Sequence, residues 1–250
     1  MSDTKRGRVQ TEQSTKRVRV YLGGRLVADS RGAVLVWESP YYPTYYLPID
    51  DVRATLAPAG AGKHSPSRGD ATTYDVRIDD ASAPGAAIRY VDSPIAELRD
   101  LVRLDWAAMD EWLEEDEPVY VHPRNPYTRV DILNSSRHVE VRVAGVTVAD
   151  SHQPRILFET GLPPRYYLPM SDVRLDLLRP SAAESLCPYK GTAHYWDVVL
   201  DGTPHEGLAW GYRTPLPESQ KVAGLVCFYD EKVDVYLDGE PQERPRTKFS

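Results

Sequence analysis

The side chains with most chemistry to offer lie in the C-terminal half of the chain. Cys187, Pro188, Tyr189, Lys190 and Gly191 are consecutive, so a thiol, a phenol and an amine share one loop shaped by Pro and Gly. The thiolate is the reactive form of cysteine and a neighbouring cation such as Lys190 favours it, which makes Cys187 a candidate nucleophile for acyl transfer or hydrolysis. The competing reading is a packed loop cysteine, since no His-and-carboxylate signature accompanies it and His194 would have to fold back to act as base. Lys190 reads equally as a surface amine or an anion contact. Upstream, Glu159 precedes Leu162-Pro163-Pro164-Arg165-Tyr166-Tyr167-Leu168-Pro169. A carboxylate there serves as a general base or holds Arg165 in a bidentate pair. Arg165 itself suits recognition of a carboxylate or phosphate. Tyr166, Tyr189, Tyr195, Trp210 and Tyr212 complete the set, apolar bodies with polar tips fit to wall a pocket.

These residues stand out because the chain repeats itself. Val20, Gly24, Val27, Ala28, Asp29 and Ser30 recur, at one fixed offset, as Val141, Gly145, Val148, Ala149, Asp150 and Ser151. With no gap, Glu38, Pro43, Tyr45, Tyr46, Leu47, Pro48, Asp51, Val52 and Arg53 recur as Glu159, Pro164, Tyr166, Tyr167, Leu168, Pro169, Asp172, Val173 and Arg174. A register this long means a duplicated domain. Because Glu38 matches Glu159, a structural pair is the favoured role for that carboxylate. The Cys187 loop, by contrast, aligns with Ser65-Pro66-Ser67-Arg68-Gly69, Arg165 with Thr44, and Trp210 with Ile88. The first copy therefore reads as a frame whose site has degenerated.

The elements that must position these groups are strands. Val139, Val141 and Val143 alternate with Glu140 and Arg142 before an Ala144-Gly145 turn, and Arg17 to Leu22 with Gly23-Gly24 does the same in the first copy. Further strands are expected at 34–38, 155–159, 74–78 and 195–200. Leu225–Tyr229 and Val233–Leu237 read as a closing hairpin with Asp238-Gly239 as its exit turn. The repeat makes Leu101–Trp106 a strand and Ala107–Leu113 a helical turn. The organisation expected is a disordered leader over 1–16, a first β domain over 17–117, a Pro-containing linker over 118–136, a second β domain over 137–241 and a tail over 242–250.

Bulk properties exclude several classes. The 250 residues, 41% of them hydrophobic, give room for two compact domains, each with its own core. A net charge of −7 opposes non-specific binding to a polyanion, so no nucleic-acid partner is expected. The longest apolar runs are too short to span a membrane and the N-terminus has no apolar h-region, so a cytoplasmic protein with two reduced cysteines is expected. No cofactor is implied. Metal binding is disfavoured, because Cys187 and Cys227 form no Cys-x-x-Cys pair and six histidines are scattered. Ala59-Gly60-Ala61-Gly62-Lys63-His64-Ser65 lacks the spacing of a phosphate loop and reads as a hairpin loop.

Arg165 to Pro169 (R-Y-Y-L-P), Asp172-Val173, Cys187 to Gly191 (C-P-Y-K-G), Ala209 to Tyr212 (A-W-G-Y) and His122 to Asp131 (H-P-R-N-P-Y-T-R-V-D) together resemble the DUF427 family in a tandem two-domain form. The resemblance implies two small, mainly antiparallel β domains similar to the β-tent (Mss4-like) architecture, here without zinc, and no established activity. The functional expectation is a small planar or anionic metabolite bound in an aromatic pocket of the second domain, with the first copy rigidifying or completing it. The alternatives are an enzyme acting through Cys187 and a protein interaction module that uses the tyrosines as an open surface.

Overall fold

A computed structural model describes residues 9–247 and Ser250. The chain divides between Asn125 and Pro126 into two units, inside the span expected to be a linker. Each unit is built from one seven-stranded and one four-stranded antiparallel sheet, in the same strand order.

In the second unit the larger sheet runs Val130–Asn134, Arg155–Glu159, Arg165–Leu168, Val226–Phe228, Thr203–Tyr212, Gly191–Leu200 and Leu178–Cys187. The smaller runs Val146–Ser151, Val139–Val143, Asp234–Leu237 and Glu240–Pro241. The alternating strand Val139–Val143 buries its three valines and leaves Glu140 and Arg142 partly exposed, as a half-buried strand must. Ala144 and Gly145 then take φ values of 47° and 80°, the two left-handed positions of the hairpin turn that matches strand twist. Those valines pack against Leu168, Val198, Ala209, Val226 and Phe228 of the larger sheet, which closes one core between the sheets.

The larger sheet is apolar on both faces. Side chains alternate along a strand, so Val226 and Phe228 enter the inter-sheet core while Cys227 points the other way. There it joins a second cluster of Ile132, Leu157, Tyr167, Ala193, Trp210, Tyr212 and Val222.

Four expectations need correction. Residues 1–8 of the leader lie outside the described residues, but Gln10–Gln13 pairs with Val34–Trp37 and is an edge strand, held by backbone hydrogen bonds that its polar side chains do not announce. Val130–Asn134 does the same against Arg155–Glu159, so the C-terminal part of the expected linker belongs to the second unit's sheet. Val226–Phe228 and Asp234–Leu237 do not form a hairpin: the first joins the larger sheet and the second the smaller. Residues 107–113 hold no helical turn over their length, because the turn is a 3-10 segment at Trp106–Ala108 and Glu111–Glu114 is a strand beside Val18–Leu22.

Candidate functional site

Strand pairing assembles the site on the outer face of the second unit's larger sheet. Residues directly opposite in an antiparallel pair share a face. Arg165 stands opposite Leu157, Tyr167 opposite Cys227, Cys227 opposite Trp210, and Trp210 opposite Tyr195. Glu159, two residues beyond Leu157, and Tyr212, opposite Ala193, fall on that same face. Cys187 ends its strand opposite Gly191, whose φ of 93° closes the Pro188-Tyr189-Lys190 turn.

Two buried ion clusters occupy this face. The Arg165 guanidinium makes a bidentate pair with Glu231, Nη1 to Oε2 at 2.8 Å and Nη2 to Oε1 at 2.5 Å, and has Asp230 at 3.8 Å. It also lies over the rings of Trp210 and Tyr229, 5.6 and 5.9 Å from their centroids. Burial pushes the Asp230 carboxyl up, Arg165 pulls it back and Glu231 pushes it further, leaving it at about 7. Burial acts on Glu231 too, but hydrogen bonds from Arg165 and Thr247 outweigh it and hold Glu231 at about 2. The second cluster is Lys190 and Glu159, whose Nζ and Oε2 are 2.5 Å apart and nearly inaccessible. Lys190 also lies in hydrogen-bonding reach of the Cys187 side chain.

The expected site residues are only partly brought together. Arg165 pairs with Glu231, not with Glu159, because Glu159 is taken by Lys190. Tyr166 is on the wrong face: it precedes Tyr167 by one residue and packs against the inter-sheet core. Tyr189, Trp210 and Tyr212 are buried, and the Tyr189 carbonyl accepts a hydrogen bond from Ser219. His194 sits one residue from Tyr195 on the opposite face and bonds Glu184 at 3.0 Å, so it does not turn back to Cys187. Cys187 is partly exposed and Cys227 fully buried, both as free thiols.

Asp230, Glu231 and Tyr229 escaped notice in the sequence, although the contrast between copies could have found them. Pairing makes Val226 the counterpart of Val102, so Tyr229, Asp230 and Glu231 answer to Asp105, Trp106 and Ala107. The phenol and both carboxylates are peculiar to the second unit.

The first unit has not lost the cation of the Cys187 loop; it has changed its type. Glu38 accepts hydrogen bonds from the Tyr46 hydroxyl and from Arg103 Nη1, the latter at 2.9 Å, and has Arg68 at 3.7 Å. Arg68, which stands where Lys190 does, also covers the Tyr90 ring at 5.3 Å. A carboxylate held by the loop cation is thus common frame, while Cys187, Trp210 and the Arg165 cluster are not.

Tyr195 and Tyr229 bring the aromatic face to solvent. Their hydroxyls are 3.4 Å apart, Tyr195 bonds Ser185, and Tyr229 packs on Trp210 with ring centroids 4.3 Å apart. Both phenols line an open cleft of about 750 Å³, with Ser181, Asp197, Glu206 and Lys232 around it. Asp197 is partly committed to the fold, since it accepts the Gly207 N–H at a strand bulge as Asp75 accepts that of Gly85.

The family described as a domain of unknown function, DUF427, matches residues 10–115 and 131–239, and the chain belongs to it as a tandem two-domain member. Comparison with curated proteins returned no match. Among the described residues no helix is long and apolar enough to cross a membrane.

Proposed function

We propose that this DUF427 protein binds a small planar molecule in the cleft of its second unit, stacked on Tyr195 and Tyr229. The observation that supports this most is the continuity of the wall: the two half-buried phenols lead inward to Trp210, which rests on the Arg165 guanidinium. The cleft volume of about 750 Å³ is within the usual range of small-molecule sites. At the matching positions the first unit has Thr73, Asp105 and Ile88, so the stacking wall is absent there.

Recognition rests on shape more than on anion binding. Arg165 and Lys190 are each neutralised by a buried carboxylate, and a ligand anion would have to displace it. Among the described lining residues Lys232 is the cation at the cleft, countered by Asp197 and Glu206. A thiolate mechanism at Cys187 has weaker support, with His194 engaged by Glu184 on the other face.

The test is a thermal-shift screen of the full chain with planar heterocycles, including nicotinate, adenine and riboflavin. A compound that raises the melting temperature of the wild type and of Cys187→Ser, but of neither Tyr195→Ala nor Tyr229→Ala, supports the assignment. A compound that stabilises all four proteins alike places binding elsewhere and refutes it.

A further inference from the structure

A second site lies on the four-stranded sheet of the second unit, away from the aromatic face. The hairpin Val139–Val143 and Val146–Ser151 pairs Val139 with Ser151 and Glu140 with Asp150. His138 and His152, one residue beyond the Val139–Ser151 pair at either end, therefore face one another across the sheet edge, with Asp150 diagonal to His138. Their imidazoles stack at 4.3 Å between centroids, and His138 Nε2 is 2.8 Å from Asp150 Oδ1. One ligand atom from each of His138, Asp150 and His152 lies within 4.8 Å of the others. In the sequence these ligands are scattered; strand register gathers them.

The first unit shows what this place holds when it is purely structural. The repeat puts Arg17, Asp29 and Arg31 where His138, Asp150 and His152 stand. Arg17 clamps Asp29 with Nε at 2.7 Å and Nη2 at 2.6 Å, and Arg53 adds a third nitrogen at 3.4 Å. In the second unit both guanidiniums are gone from the carboxylate. Arg17 is replaced by an imidazole, and Arg174, the counterpart of Arg53, is bound to Asp176. Glu140, on the same outer face, is engaged by Arg142 and Thr147, and Arg137 by Asp238. Asp150 keeps its charge while its fixed cations have been exchanged for two good metal donors.

We propose that His138, Asp150 and His152 bind a divalent first-row transition cation, with zinc as the reference ion. Two imidazoles and one carboxylate form a three-ligand set of the kind used at zinc sites with an open position, and imidazole favours zinc, copper and nickel over magnesium or calcium. Metal–ligand bonds of about 2.1 Å put donors about 3.4 Å apart in a tetrahedral site, which rotation of the exposed Asp150 and His152 and the half-buried His138 reaches from the present spacing. The metal takes the place of the proton between His138 and Asp150 and supplies the positive charge that Arg17 supplies to Asp29.

The experiment is zinc titration of the untagged full chain by calorimetry, with cobalt absorption as a second readout. The wild type is expected to bind one zinc per chain. The decisive variant is His138→Arg with His152→Arg, which installs the residues of the first unit and should fold through the same Arg–carboxylate pair. It is expected to lose at least 100-fold in zinc affinity and to give no tetrahedral cobalt bands, with an unchanged circular dichroism spectrum. Failure of the wild type to take up zinc at millimolar concentration, or uptake that survives in the folded double variant, overturns the proposal.

Discussion

Asp230→Asn probes the charge balance of the Arg165 cluster. Burial and Glu231 raise the Asp230 carboxyl from its ordinary 3.8 to about 7, against the pull of Arg165. The folded protein then holds this proton more tightly than the unfolded chain, so stability falls as pH rises between those two values. The penalty is absent below about pH 4 and complete above about pH 7. At about 1.4 kcal/mol for each unit of displacement, a gap of roughly three units costs at most ~4 kcal/mol above neutrality. Glu231 acts in a separate window, because its lowered value of about 2 gives stability that is present above its ordinary 4.5 and lost as pH falls through 2. Asparagine keeps the shape of Asp230 but cannot ionise. The variant is therefore expected to gain ~4 kcal/mol at pH 8 and only ~1–2 kcal/mol at pH 5. For a domain of this size that difference is a melting shift about 10 °C larger at pH 8 than at pH 5. Scanning calorimetry of the full chain at both pH values reads it directly. An equal shift at both, or a loss of stability at pH 8, would refute the reasoning, the latter by showing that ionised Asp230 is a partner Arg165 requires.

Lys190→Arg is expected to keep the protein within about 1 kcal/mol of wild type in urea denaturation, since Arg68 fills the matching place beside Glu38, whereas Lys190→Met strands the buried Glu159 charge and costs about 3–5 kcal/mol. Thiol labelling of the native protein should count one reactive cysteine, and two after denaturation, because Cys187 is partly exposed and Cys227 is fully buried. Cys187→Ser should abolish the native count while moving the melting temperature little, as Ser65 holds that position in the first unit. Gly211→Ala places a methyl group 2.4 Å from the Leu225 carbonyl oxygen and should destabilise by about 1–3 kcal/mol, measured by the same urea midpoint.

The duplication, the hairpin that opens each copy and the difference between copies were legible in the sequence, because these need only identities and alternation at short range. It could not carry register. Tyr166 and Tyr167 look alike as neighbours, yet strand alternation sends one to the inter-sheet core and the other to the site face. Pairing of Arg165 with Glu231 depends on how Val226–Phe228 slots beside Arg165–Leu168, and no local pattern states that. The edge strands Gln10–Gln13 and Val130–Asn134 were lost for a related reason, since an edge is held by its backbone and its side chains are free to be polar.

In the first unit, Thr44, Trp106 and Ala107 stand where Arg165, Asp230 and Glu231 do, and the strand order is unchanged. An uncharged set therefore suffices to build this architecture. Replacing buried ion clusters by well-packed apolar residues is often neutral or stabilising, so the second unit gains little folding stability from a guanidinium, a clamped carboxylate and a carboxyl held near neutrality. What the cluster does provide is a guanidinium plane fixed behind Trp210 and Tyr229. A guanidinium held there by Glu231 keeps both rings in orientation, and on the proposed reading rings so held would lose less entropy on stacking against a planar molecule.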